Sequence, residues 1–263
     1  MPSLSDLKIP EYASGADLEF FDTVGSDLKI DQNKLKDYVN KYYPGSNAAK
    51  FPKSYTKSTD PNISNLATPF NPKEYNSTYG DNIGGITNYR GPNPSTIVFG
   101  TSREPLRTLV HEIAHTELRS NPNASMKGYL DYPYTGLEKA RTRYQALTYG
   151  DMPEQNSEWH MRSVESEEPS QKYEDMLAEL KAYEATLPAG THILNTPLGN
   201  HLFPTKDEKL AYLIHSQPLY TQKGHEIKMQ LPPTGNWQKD FINKAYQTVE
   251  DAKDFINNFI REK

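Results

Sequence analysis

The chain has 263 residues, 29 basic against 34 acidic side chains, a net charge of -5 and 35% hydrophobic residues. That is enough for one substantial core, and the absence of any concentrated Lys/Arg stripe argues against a nucleic-acid partner. There is no cysteine, which excludes disulfides, thiolate zinc sites and cysteine nucleophiles, so any metal has to sit on His, Asp or Glu.

The opening residues contain Asp6, Pro10, Glu11 and Asp17 where a secretory leader would be apolar. No apolar run approaches the roughly eighteen residues of a membrane span. The expectation is a soluble monomer, either cytoplasmic or secreted without a cleaved signal peptide. Residues 1–30 read as an irregular arm with at most one strand.

Asp31 is placed to cap a helix over Asn33–Tyr42, in which Leu35, Tyr38, Val39 and Tyr42 recur at helical spacing before Pro44-Gly45 ends it. Residues 46–80, rich in Ser, Thr, Asn and Pro, form a long loop or a set of short strands. Two β-prone runs, Gly84–Arg90 and Ser95–Gly100, flank Gly91-Pro92-Asn93-Pro94 and predict a hairpin.

Thr101 stands three residues before Glu104, a capping-box spacing, and Pro105 follows in the first turn of the expected helix. Leu106, Leu109, Val110, Ile113 and Ala114 give that helix a broad apolar stripe. It should end near Ser120. A second helix is expected over Leu137–Tyr149 and a third over Tyr173–Leu187. Asp207–His215 reads as another helix, Glu226–Leu231 as a strand and Gln238–Ile260 as a long final helix. These elements imply an α+β fold in a single domain over 1–263, with a core region at about 84–150 and a helical C-terminal part at about 171–263.

His111-Glu112-Ile113-Ala114-His115 lies inside the best-supported helix. Residues i and i+4 share a helix face, so the two imidazoles point the same way and can hold one zinc ion. Glu112, rotated about 100° from His111, reaches the attacking water as a general base and does not compete as a ligand. A catalytic zinc site needs a third protein ligand. The downstream candidates are Glu117, Asp131, Glu138, Asp151, Glu154, Glu158 and His160. Glu138 is preferred, because it opens the second helix and its neighbours Leu137 and Ala140 can seat that helix against the first.

These residues resemble the zincin metallopeptidases, in particular the branch whose third ligand is a glutamate, which includes compact bacterial effector proteases. The likeness covers about Ser95–Gly150. It implies that His111, His115 and Glu138 hold one Zn²⁺, that Glu112 is the general base, and that a small mixed or antiparallel sheet accompanies the active-site helix. It also implies that Ile97–Phe99 is the sheet edge along which an extended protein or peptide substrate lies, where an exposed strand offers unpaired N–H and C=O groups. The stretch around Glu138 lacks the Asn-Glu-x-x-Ser-Asp pattern of the thermolysin group, and no third histidine follows His115 at metzincin spacing.

The expected function is a zinc endopeptidase, a leaderless effector or toxin or else a phage-borne protease. Among residues able to stabilise an oxyanion, Tyr134 ranks ahead of Tyr129, Tyr132, His215, Tyr220 and His225. Two readings compete with peptide hydrolysis: zinc that only pins a binding or structural protein together, and hydrolysis of a non-protein amide.

Overall fold

The computed structural model describes residues 15–50, 64–68, 83–88, 95–119, 134–149 and 173–216. It is α+β, helices with one small mixed sheet, and its elements follow the chain order α1 (Gly15–Phe20), α2 (Gln32–Tyr42), α3 (Asn47–Lys50), β1 (Ser64–Thr68), β2 (Gly85–Asn88), β3 (Ser95–Phe99), α4 (Pro105–Arg119), α5 (Tyr134–Tyr149), α6 (Glu174–Thr186), α7 (Pro197–Leu202) and α8 (Lys206–Ser216). The expected strand at 226–231 and the long helix at 238–260 lie outside the described residues. The chain divides into two compact units, one comprising residues 1–116 with 178–192 and the other residues 117–177 with 193–263. The boundary falls within α4 and within α6.

In the first unit the Asp31 carboxylate accepts from the N–H groups of Asn33 and Lys34 at 2.8 and 3.1 Å, the expected cap of α2. Gly45, with φ of 71°, turns the chain after that helix in the left-handed region that glycine tolerates. Where an irregular arm was expected, residues 15–23 form a short helix and a 3₁₀ turn, because Phe20 and Phe21 are buried with Tyr38 in an edge-to-face aromatic cluster.

The sheet order is β1-β3-β2, with β1 parallel and β2 antiparallel to β3. The expected β2–β3 hairpin pairing is present, but Ile97–Phe99 lies on the central strand and is not an edge. The reason is β1, whose Ser64–Thr68 segment pairs with all five residues of β3. The far side of β1 is in turn covered by residues 28–30, through Ala67 N–H to Leu28 O at 3.0 Å and Ile30 N–H to Asn65 O at 3.1 Å. Phe99 N–H donates to Gly84 O at 2.8 Å, which fixes the hydrogen-bonding register of the hairpin. The peptide groups of Gly85 and Thr87 therefore point away from β3. Among the described residues no strand pairs with that outer side, so β2 is the open edge.

Helix α4 begins at Pro105, not at Thr101. The Thr101 hydroxyl is diverted to donate to Ile83 O at 2.7 Å, and Glu104 O accepts the first helical bond from Thr108 N–H. Pro105 occupies the first helical position, where a missing N–H costs nothing. The apolar stripe of α4, Leu106, Leu109, Val110 and Ile113, enters one core with Phe20, Leu35, Val39, Ala67, Val98, Ala182 and Ala185. Each fully buried leucine there contributes roughly 1.5–3 kcal/mol of transfer free energy.

The residues after α6 are tied back to α3. Asn47, 5% exposed, donates through Nδ2 to Glu184 O and Thr191 O, both at 2.8 Å, and accepts from Gly190 N–H at 2.8 Å. Asn47 N–H also donates to Leu187 O at 2.8 Å.

In the second unit α5 packs on α7 and α8, and Leu137, Ala140, Leu202, Ala211 and Tyr212 on these helices are buried. Gly136 permits the close approach of α5 to α8, since a Cβ there would lie 3.1 Å from Ala211 Cβ. Helix α8 carries a reciprocal cap: Thr205 N–H donates to Glu208 Oε2 and Glu208 N–H donates to Thr205 Oγ1, both at 3.2 Å. Among the described residues no helix is long and apolar enough to cross a membrane.

Candidate metal centre

Helix α4 buries one stripe and turns the adjacent flank, Arg107, Thr108, His111 and Glu112, towards a cleft of about 620 Å³ in the first unit. Arg107, His111 and His115 follow one another at i, i+4 and i+8, so they form a row along that flank.

The imidazoles of His111 and His115 meet with their Nε2 atoms 3.0 Å apart and their rings inclined at 70°. Two ligand nitrogens on adjacent tetrahedral corners, each 2.0–2.1 Å from a zinc ion, stand about 3.3 Å apart, so the observed spacing suits one ion shared between the rings. The other nitrogen of His111 is also accounted for. Its Nδ1 lies 3.1 Å from Glu179 Oε2, and a proton on Nδ1 donated to that carboxylate leaves Nε2 as a lone pair. The donor set therefore fits a divalent metal.

Glu179 was not singled out from the sequence. It sits on α6, 68 residues from His111, and its second oxygen, Oε1, accepts from Arg107 Nη2. Arg107 in turn donates from Nη1 to Glu104 Oε2 at 3.0 Å, and its guanidinium lies 5.7 Å from the centre of the Tyr183 ring. Burial pushes the Glu179 carboxyl upward, but the bond from His111 and the charge of Arg107 outweigh burial and hold it below the ordinary glutamate value. Asp175 stands one turn before Glu179, on the same face of α6.

Glu112 is 7% exposed. Its carboxylate and main-chain oxygen both face Thr87 on β2, whose Oγ1 lies 2.8 Å from Glu112 Oε2 and 2.8 Å from Glu112 O. Gly85, two residues earlier and on the same strand face, allows this approach. A Cβ at Gly85 would fall 2.6 Å from Thr108 Cγ2 and 2.9 Å from Glu112 Cγ. The sequence marked β2 as a strand but carried no sign that it abuts the glutamate.

His111, Glu112 and His115 are thus brought together on one helix flank. Glu138 belongs to the second unit, where it lies exposed on α5 and accepts from Tyr173 Oη at 2.5 Å. Tyr134 is the first residue of α5. Glu117 falls on α4 and His215 on α8. Asp131, Asp151, Glu154, Glu158, His160, Tyr129, Tyr132, Tyr220 and His225 lie outside the described residues. No protein-family model matches the chain, and neither a curated protein nor a solved structure was found to be similar to it.

Proposed function

We propose that the protein is a zinc-dependent endopeptidase, with His111 and His115 as metal ligands and Glu112 as the general base. The observation that carries this reading is the convergence of two Nε2 atoms at 3.0 Å, with the outer nitrogen of one ring held by the Glu179 carboxylate and a second carboxylate, Glu112, next in sequence to His111. Bound zinc would supply Lewis acidity to a scissile carbonyl and to water. Glu112 would take a proton from the attacking water and pass it to the leaving amine. Glu179 would hold the His111 ring in the tautomer that leaves Nε2 free to ligate.

The third ligand is a carboxylate. Glu138 is the choice the sequence favours, and Asp175 is a second candidate, since it lies one turn from Glu179 on the same face of α6. The substrate strand belongs on the outer side of β2, where the peptide groups of Gly85 and Thr87 are directed, beside the cleft containing Glu112. A leaderless effector or toxin role, the alternative of a cytoplasmic peptidase and a monomeric state remain part of this proposal.

The test is metal analysis of the purified protein beside Glu112→Gln, Glu138→Ala and Asp175→Ala, each also assayed on a peptide library. One zinc per chain, retained in Glu112→Gln while turnover falls by about 10²–10⁴-fold, is the expected result. Loss of zinc in Asp175→Ala but not in Glu138→Ala, or the reverse, identifies the third ligand. Wild type without bound zinc, or Glu112→Gln with full peptidase turnover, would overturn the reading.

A further inference from the structure

We infer that Thr87 is a positioning residue for Glu112, holding the carboxylate in one orientation from the neighbouring strand. This rests on Glu112 acting as the base. A glutamate side chain has three rotatable bonds, and a base that samples several rotamers spends only part of its time within reach of the water proton. Glu112 is restrained on two sides. Gly85 brings the strand so close that even a methyl group would collide with Glu112 Cγ, and Thr87 Oγ1 lies within hydrogen-bond distance of Glu112 Oε2.

The position of Thr87 between two oxygens of one residue gives the contact a further property. The hydroxyl has one proton and two lone pairs, and it is 2.8 Å from both Oε2 and the main-chain O of Glu112. With Glu112 as carboxylate, Thr87 donates its proton to Oε2. When Glu112 takes a proton from water on Oε1, the oxygen not held by Thr87, Oε2 becomes the carbonyl oxygen of the carboxyl group and continues to accept from the Thr87 hydroxyl. No atom need move except hydrogens, and the side chain is held in the same place before and after transfer. Threonine suits this task on a strand, where its branched Cβ restricts the hydroxyl to few rotamers. Serine could make the same bonds with less restraint, and valine could make neither.

The experiment compares the full chain, zinc-loaded and metal-free, with Thr87→Val and Thr87→Ser. Valine preserves shape and strand preference, so melting temperature, zinc content and KM should stay close to wild type while kcat falls by about 10–100-fold. Thr87→Ser should recover kcat to within about threefold of wild type. Crystal structures of the metal-free forms give a readout that does not depend on turnover: Glu112 should occupy one rotamer in wild type and Thr87→Ser and more than one in Thr87→Val. Glu112 in the wild-type rotamer in Thr87→Val, or kcat unchanged in Thr87→Val where Glu112→Gln abolishes it, would overturn the inference. Absence of any hydrolysis in wild type would instead count against the peptidase reading, and the rotamer comparison would still decide the role of Thr87.

Discussion

The outer nitrogen of His111 and the Oε2 atom of Glu179 stand 3.1 Å apart although 68 residues separate them. The contact joins the parts of α4 and α6 that lie in the first unit and places a carboxylate behind an imidazole whose other nitrogen faces His115.

Removing that carboxylate should weaken metal binding without unfolding the protein. Glu179→Ala is expected to lower zinc affinity by about 10–100-fold, as loss of an outer-shell partner does at other histidine sites. Glu179→Gln should lower it less, because an amide oxygen can still accept from Nδ1–H. Competition with a chromophoric chelator measures both. An unchanged affinity in Glu179→Ala would show that the carboxylate has no influence on the ligand.

Gly85 is predicted to be intolerant of any side chain. In Gly85→Ala the new methyl would lie 2.6 Å from Thr108 Cγ2 and 2.9 Å from Glu112 Cγ, so the strand or the glutamate has to shift. Overpacking of this kind costs about 1–3 kcal/mol. Urea unfolding should show that loss, and peptide hydrolysis should fall further than stability alone explains, because the displaced group is the proposed base. A variant with wild-type unfolding midpoint and turnover would contradict the packing described.

The second unit should show a pH-dependent contribution from Glu208. This carboxylate is 4% exposed. Burial pushes it upward, but Arg143 Nη2 at 3.1 Å and the Thr205 N–H and hydroxyl more than offset that and hold it below its ordinary value of 4.5. A carboxyl lowered in the folded state stabilises the fold above the unfolded value, and that contribution disappears as pH falls through the folded value. Glu208→Gln should therefore cost about 1–3 kcal/mol at neutral pH. The gap from wild type should narrow steadily below pH 4.5. Urea midpoints collected between neutral and acidic pH would show the convergence, and a gap that widened towards acid would refute it.

Two Thr-x-x-Glu stretches show how far local sequence carries. Thr205 and Glu208 form the reciprocal cap that the spacing suggests, whereas Thr101 is captured by Ile83 O and the helix starts at Pro105. The difference is tertiary: the residues leading into β2 run past Thr101 and offer the carbonyl of Ile83. Helices α2, α4, α6 and α8 were legible because each has an amphipathic stripe with recognisable start or stop residues, and His111 and His115 were legible because one helix sets their spacing. Helix α7 was not anticipated. Its six residues are too few to show a period, although Thr196 caps it and Pro197 begins it.

The position of β3 at the centre of the sheet was hidden, since β1 lies in a polar stretch with no clear alternation. Glu179 and Thr87 were hidden for a different reason. Their partners are distant in sequence, and each looks locally like an ordinary helix or strand residue.

Helix α6 can be regarded as a beam clamped near its C-terminal end. Asn47 grips the carbonyl of Glu184 and the two chain groups that follow the helix, so the lateral position of Glu179, less than two turns away, is inherited from a side chain that never approaches the imidazoles. Slack introduced at Asn47 would be felt at His111 as a carboxylate drifting out of register, which makes a remote amide a tuning screw for the histidine pair.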